Sequence, residues 1–281
     1  MFNENLNQSI QIKRSMVCVG LDSDIKHIPP FLLSELDPLF TFNKAIIDAT
    51  KDYAAAYKLN IAFYEALGIP GWELLERTLS VIPRDAIIIA DAKRGDIENT
   101  GRKYAETYFK TYEFDAVTVA PYMGMDSVTP FLEYEDKGVF LLCLTSNSGS
   151  SDFQFIKNDE GEPLYLSVAQ KALGWNFLFG NCGLVVGGTH TNEINEIREN
   201  APDLPFLIPG IGAQGGNLEM VIKCGTDKYG RSALINSSRT ILYASSERDF
   251  AEAARTRTKQ LRDKINMLVS IHKNPDMLDQ N

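Results

Sequence analysis

The sequence has few of the residues that build metal clusters and disulfide frameworks. It contains three widely separated histidines, and its four cysteines form no CxxC pair. A histidine metal cluster is therefore not expected, and we predict neither a metal nor a cofactor. Because Cys18, Cys143 and Cys182 lie inside apolar runs, we interpret them as buried thiols of a protein in a reducing compartment.

Long apolar segments are also missing. No run reaches the roughly 18 apolar residues of a membrane span, and the first residues, MFNENLNQSIQIKR, contain no apolar signal core. The 37 acidic and 28 basic residues give a net charge of -9, which argues against nucleic acid or an anionic membrane as partner. The sequence predicts a cytoplasmic protein, in which a local positive pocket could still bind a small anion.

Eight short apolar runs alternate with longer amphipathic stretches along the 281 residues. Runs that are hydrophobic almost throughout are typical of parallel strands covered on both faces. The predicted strands are 16–21, 55–59, 86–90, 116–120, 138–144, 183–187, 205–208 and 233–236. The predicted helices are 40–52, 72–80, 100–112, 164–173, 193–200, 217–224 and 247–271.

This alternation predicts an α/β fold, a single-domain (β/α)8 TIM barrel spanning residues 1–281. The barrel core covers about 15–245, and a C-terminal helix covers about 247–271. A doubly wound open sheet is the alternative architecture. The polar, Gly/Ser-rich segment 146–162 follows the fifth predicted strand and is either an active-site lid or a plain surface loop.

The densest charge signal is the segment DAKRGDI, residues 91–97, at the end of the third predicted strand. Asp91 and Lys93 are two residues apart and project to the same face, at the strand end where barrel enzymes hold catalytic residues. Lys58, near the end of the second strand, could join Asp91 and Asp96 in one network. Such a network would hold Lys93 as an ammonium proton donor beside a fixed negative charge. A salt bridge at the barrel rim is the alternative interpretation.

Further polar residues follow other predicted strands. The turn PGIGAQGGN, residues 209–217, exposes backbone N–H groups before a helix, and Arg239 follows the last strand beside it. Loops after strands seven and eight are the usual phosphate site of such barrels. The same sequence pattern is also compatible with a purely structural turn and a surface arginine. Asp22 suits a sugar hydroxyl or a turn cap. The polar atoms of residues 145–147 could contact an amide or a pyrimidine edge.

Five segments in this order carry a family resemblance: YKLNIAFYEALG, DAKRGDIENT, VAPYMGMDSVTPF, TSNSGSSDFQ and PGIGAQGGN. From about residue 15 to 243, the chain resembles the longer single-domain branch of the orotidine 5'-phosphate decarboxylases. The resemblance implies conversion of orotidine 5'-phosphate to UMP and carbon dioxide, the last step of de novo UMP biosynthesis. It also implies that no cofactor is needed.

The resemblance implies a role for each matching position. The charged tetrad is Lys58, Asp91, Lys93 and Asp96, with Lys93 donating a proton to the ring carbon that loses carbon dioxide. The implied substrate contacts are Asp22, Lys58, Thr100 and Asp96 at the ribose, Ser146 at the pyrimidine, and Gln214, Arg239 and the backbone of Gly212 and Gly215 at the phosphate. Asp96 and Ile97 are expected to reach the neighbouring subunit's site, which implies a homodimer with shared active sites.

The sequence is compatible with two other functions. A magnesium-dependent sugar-phosphate decarboxylase or aldolase of the same superfamily shares DxKxxD but needs an acidic metal ligand where this chain has Lys58. A barrel that only binds a phosphate ligand would be favoured by loss of a tetrad member or of a phosphate contact. All of these residues are present in the sequence.

Overall fold

The computed structural model describes residues 2–211 and 215–272. Its eight strands are all parallel to their neighbours, and β8 pairs with β1, which closes the sheet into a barrel. The strands are β1 (Val17–Gly20), β2 (Ala56–Asn60), β3 (Ile87–Arg94), β4 (Ala116–Val119), β5 (Gly138–Leu144), β6 (Cys182–Val186), β7 (Phe206–Ile208) and β8 (Ala233–Ser237). The predicted barrel is confirmed, and the open-sheet alternative is wrong.

Helices surround the barrel. The helices are α1 (Phe2–Lys13), α2 (Pro38–Thr50), α3 (Ile61–Glu65), α4 (Ile69–Ser80), α5 (Glu98–Glu106), α6 (Met125–Leu132), α7 (Leu164–Phe179), α8 (Thr191–Asn200), α9 (Leu218–Gly225), α10 (Arg239–Leu242) and α11 (Phe250–His272). The residues at the N-termini explain why several helices begin where they do. Asp37 caps α2, accepting a hydrogen bond from the N–H of Phe40, and Pro38 occupies the first turn, where a missing N–H costs nothing.

Four helices lie outside the segments predicted from the sequence: α1, α3, α6 and α10. The helix α1 packs with Phe2, Leu6 and Ile10 buried, a spacing of four residues that marks one helical face. Its apolar stripe is narrow within a polar segment, and we did not predict a helix there. The helix α6 contains Pro130, which ordinarily interrupts a helix.

Strand β3 is longer than predicted. Its apolar run ends at Ala90, but the strand continues to Arg94, so Asp91 and Lys93 lie inside it. The pairing of β3 with β4 shifts register between Ala90 and Arg94, and Lys93 has a φ of 48°. Left-handed backbone is costly for a residue with a side chain, so neighbouring contacts must hold it.

Within the described residues, no helix combines the length and hydropathy that crossing a bilayer requires. The C-terminal helix α11 begins at Phe250, three residues after the predicted start, and ends at His272. The segment 146–162 contains a short 3-10 turn, Ser148–Asp152, and Lys157 forms an isolated antiparallel bridge with Pro163. The segment 146–162 is thus a locally folded loop at the carboxyl end of β5.

Candidate active site

Three charged side chains from two neighbouring strands are in direct contact. The Asp91 carboxylate accepts a hydrogen bond from Lys93 Nζ at 2.5 Å through one oxygen and from Lys58 Nζ at 2.8 Å through the other. In the register of β2 and β3, Asp91 pairs with Asn60, so Lys58 lies two residues earlier and its long side chain extends towards the carboxylate. Asp22, just beyond β1, places Oδ1 at 3.7 Å from Lys58 Nζ.

Burial makes this cluster electrostatically strong. Lys58 is only 4% exposed, whereas half of the Lys93 side chain faces solvent. Burial alone would raise the pKa of the Asp91 carboxyl, but the ammonium groups of Lys58 and Lys93 outweigh it and hold that pKa well below its ordinary value. Burial likewise opposes the charge on Lys58, yet Asp22 and Asp91 raise its pKa above the usual lysine value. Asp91 and Lys58 therefore stay ionised at neutral pH.

Asp22, Lys58 and Asp91 of this cluster form one wall of a cavity of about 170 Å³ at the carboxyl end of the barrel. The opposite wall comes from β7, β8 and the loops that follow them. The lining residues are Asp22, Lys58, Asp91, Pro209, Gly210, Ile211, Asn236, Ser238, Arg239 and Thr240. The closure of the barrel places β8 beside β1, so Arg239 shares this cavity with Asp22 although 217 positions separate them in the sequence.

The glycine-rich turn after β7 lies at the same end of the barrel. Gly215 has a φ of 79°, a backbone conformation that favours glycine, and Gly216 donates its N–H to the carbonyl of Gly210. The helix α9 begins at Leu218 with Asn217 as its cap. The turn thus leads directly into a helix N-terminus, where backbone N–H groups suit an anion. Gly212 and Gln214, two predicted phosphate contacts, lie outside the described residues.

Other predicted site residues stand apart from the cavity in a single chain. Asp96 accepts a hydrogen bond from the N–H of Ile97, and the described part of one chain gives it no cationic partner. Ile97 and Thr100 are exposed, at the start of α5. Ser146 follows β5 and is half-buried. The structure therefore brings together Asp22, Lys58, Asp91, Lys93 and Arg239, and leaves the Asp96 segment facing outward.

Several polar residues of the site were not predicted from the sequence, among them Asn236 and Thr118. Asn236 on β8 lines the cavity, and its buried Oδ1 has no hydrogen-bond partner among the described residues. Thr118 on β4 contacts both Asp91 and Lys93. Each is a polar residue inside an apolar strand run, ALINS for β8 and AVTV for β4, and that pattern was the available signal.

Within residues 2–211 and 215–272, no group of three or more His, Cys, Asp or Glu side chains is arranged to hold a metal ion. The four thiols are free, and burial raises the pKa of Cys18 to about 12, so that this thiol stays protonated although it lies near Lys58. The charged groups that line the cavity are the ammonium of Lys58, the guanidinium of Arg239 and the carboxylates of Asp22 and Asp91.

Comparison with known proteins supplies relatives for the whole chain. Residues 15–254 match the model of the orotidine 5'-phosphate decarboxylase / HUMPS family. Orotidine 5'-phosphate decarboxylase of Dehalococcoides mccartyi strain CBDB1 is 50% identical over 268 residues, covering 94% of this chain and 97% of the relative. The Bacteroides fragilis strain YCH46 protein of that name is 48% identical over 272 residues, with the same coverage.

Solved structures agree with this comparison. Leishmania donovani OMP decarboxylase superposes with a TM-score of 0.84 at 39% identity, covering 95% of this chain and 98% of that one. Leishmania donovani UMP synthase superposes with a TM-score of 0.85 at 41% identity. That alignment covers 95% of this chain but 56% of the longer synthase chain.

Proposed function

We propose a residue-level mechanism for this chain, which belongs to the orotidine 5'-phosphate decarboxylase / HUMPS family and decarboxylates orotidine 5'-phosphate to UMP and carbon dioxide. The observation that carries the mechanism is the contact of Asp91 with two lysines on a cavity that also holds Arg239. This arrangement offers a fixed proton donor at one end and a cation for a phosphate at the other.

The chemical step needs electrostatic stabilisation. When the bond between the pyrimidine ring and the carboxylate breaks, the electron pair stays on the ring carbon and carbon dioxide leaves. A fixed ammonium beside that carbon stabilises the developing carbanion without having to reorganise. Lys93 then donates a proton from Nζ to the ring carbon and regains one from solvent, which its half-exposed side chain can reach. Asp91 holds Lys93 in place and lies beside the departing carboxylate.

The remaining contacts position the substrate. Arg239 and the backbone of Gly215 bind the phosphate, together with Gly212 and Gln214. Asp22 and Lys58 hold ribose hydroxyls, assisted by Thr100, and Ser146 contacts the pyrimidine. Phosphate binding far from the reacting carbon contributes to the rate when its binding energy orders the charged site in the transition state.

We also propose a homodimer with shared active sites. Exposed apolar side chains follow β2, β3 and β4, which are neighbouring strands, and we call these side chains the rim patch. The rim patch consists of Phe63, Leu67, Ile69, Ile97, Tyr122, Met123 and Met125. A patch of this kind on an otherwise charged surface suits a protein interface. Pairing two copies through it would bring Asp96 and Ile97 of one copy towards the Lys93 of the other.

The magnesium-dependent alternative suits this site less well. A divalent cation at Asp91 would be repelled by Lys58, whose ammonium lies 2.8 Å from the carboxylate. We further propose a cytoplasmic location, because all four cysteines are free and Cys18, Cys143 and Cys182 are buried. No nucleic-acid or membrane partner is proposed.

The direct test is the ultraviolet absorbance of orotidine 5'-phosphate incubated with purified protein and excess EDTA. We expect a fall that matches conversion to UMP. Activity that returns only when magnesium replaces EDTA would favour the sugar-phosphate relatives. A folded protein that binds UMP but turns over no substrate would favour the barrel that only binds.

A further inference from the structure

The strand that carries the reacting lysine is irregular at the site. In the register of β3 and β4, Ala90 pairs with Val117 and Arg94 pairs with Val119. Three residues of β3, from Asp91 to Lys93, therefore lie opposite a single residue of β4. That residue is Thr118, and bulges of this kind redirect side chains beside active sites.

The hydroxyl of Thr118 takes the place of the interrupted backbone pairing. The N–H of Lys93 donates to Thr118 Oγ1 at 2.9 Å, and the hydroxyl donates its own proton to Asp91 Oδ1 at 3.1 Å. Thr118 is 1% exposed, so no bulk water competes for these two bonds. One hydroxyl thereby satisfies the backbone N–H of Lys93 and orients the carboxylate of Asp91.

The oxygen that Thr118 contacts is the one that accepts from Lys93 Nζ. Asp91 Oδ1 receives the ammonium of Lys93, while Oδ2 receives Lys58. Thr118 therefore touches Lys93 twice, directly at its backbone N–H and indirectly through the carboxylate that its ammonium contacts. Fixing both ends of the side chain limits where Nζ can lie.

We propose that Thr118 is a positioning residue for decarboxylation: its hydroxyl stabilises the left-handed backbone of Lys93 and orients the Asp91 carboxylate, so that the Lys93 ammonium is held at the reacting carbon. The inference rests on the proposed function, since it acts through the proposed proton donor. Arg94 also supports the bulge, donating to the carbonyl of Ala92 and pairing with Glu65. Neither of these contacts involves the Asp91 carboxylate.

The test compares Thr118→Val with Thr118→Ser. Valine keeps the shape and removes the hydroxyl, whereas serine keeps the hydroxyl and leaves a small void. We expect Thr118→Val to lower kcat at least about tenfold, as loss of a hydrogen bond to a charged group should, with the Kd for UMP changed less than about threefold. Thr118→Ser should keep kcat within about threefold of the parent. A residue that only fills space would give the opposite order, since valine is the better filler.

The matched control is Thr258→Val. Thr258 is equally buried, in α11, and its hydroxyl donates to the carbonyl of Ala254, away from the cavity lining. The kcat of Thr258→Val should equal that of the parent protein. Thr118→Val with a parental kcat, or Thr118→Ser as impaired as Thr118→Val, would overturn the proposal. If circular dichroism shows Thr118→Val to be unfolded, Thr118→Ala replaces it under the same criteria. An inactive parent would instead refute the proposed function.

Discussion

Asp91 is the residue on which the charged site depends. Its two oxygens each accept a hydrogen bond from a different lysine. Lys58 is too deeply buried for water to solvate its ammonium in place of Asp91. Removing one member of a buried ion pair leaves the other member desolvated and uncompensated, which costs more than the intact pair contributes. The paired charges therefore affect the stability of the fold as well as the reaction.

Asp91→Asn should lower the free energy of unfolding by about 3 kcal/mol at neutral pH, because it leaves the Lys58 ammonium buried without its nearest anion. Urea unfolding measures this change. Asp48→Asn is the control: Asp48 pairs with two lysines on an exposed helix face, and its loss should cost less than about 1 kcal/mol. Equal stabilities of the Asp91 variant and the parent would contradict the buried-pair argument.

The same carboxylate predicts a pH dependence of stability. The pKa of Asp91 is lower in the folded than in the unfolded chain, so its contribution is present above the unfolded value, about 4. That contribution is lost as the pH falls through the lower, folded pKa. The stability difference between the parent and Asp91→Asn should therefore shrink as unfolding is measured at pH values progressively below about 4. A difference that stays constant would rule out this linkage.

Arg239 is the residue that distinguishes phosphate recognition from the chemical step. It is exposed at the mouth of the cavity, at the start of α10. Arg239→Ala should reduce kcat/KM for orotidine 5'-phosphate by about 100-fold, since a charge-assisted contact is lost, while phosphate-free orotidine should be little affected. Steady-state kinetics on both substrates provide the comparison. Equal losses on both would contradict a phosphate contact.

Among the elements, the N-terminal helix α1 closes the amino end of the barrel. Phe2 is fully buried and meets Phe140 of β5 edge to face, with ring centroids 6.0 Å apart. The ring lies where a side chain on Gly138 would be, since a Cβ there would come within 2.4 Å of it. The first residue of β5 is therefore a glycine because a helix far away in the chain occupies the space above it.

Phe2→Ala should lower the free energy of unfolding by about 3–5 kcal/mol, the usual cost of an aromatic cavity. The kcat of the folded protein should not change, because this end of the barrel is opposite the active site. Phe177→Ala is the matched control, since Phe177 is 90% exposed and its loss should change stability by less than about 0.5 kcal/mol. A loss of kcat without a loss of stability would show that α1 acts on the site.

At the scale of the whole molecule, barrel closure assembles the site. Asp22 and Arg239 follow β1 and β8, which would lie apart in an open sheet but are hydrogen-bonded neighbours here. The net charge of -9 belongs to the whole surface, whereas in the cavity Asp22 and Asp91 are balanced by Lys58 and Arg239, and Arg239 lies exposed at the mouth. A small anion can therefore bind to a chain that is acidic overall.

The proposed dimer makes a prediction at this scale. Lys93→Ala and Asp96→Ala should each be nearly inactive alone, but a mixture should recover about a quarter of the parental activity, since half of the dimers are hybrids with one intact site. Decarboxylation after subunit exchange measures the recovery. No recovery, with exchange verified by mass spectrometry, would count against a site shared between subunits.

The sequence by itself determined the strands, their alternation with helices, and the positions of Lys58, Asp91, Lys93 and Arg239. Each strand contains a local apolar run, and the charged residues interrupt or follow those runs, so both signals are readable along the chain. The resemblance to the family indicated which reaction the chain catalyses, because the five matching segments occur in the family's order.

Only the tertiary structure decided how these parts meet. Closure of the sheet depends on the pairing of β1 with β8, more than 200 residues apart, for which no local pattern exists. The continuation of β3 through charged residues depends on Thr118, whose hydroxyl satisfies an N–H that the neighbouring backbone leaves unpaired. Contacts of this kind cannot be predicted from the periodicity of the sequence, because they depend on the register between strands. That register is fixed only when the barrel packs.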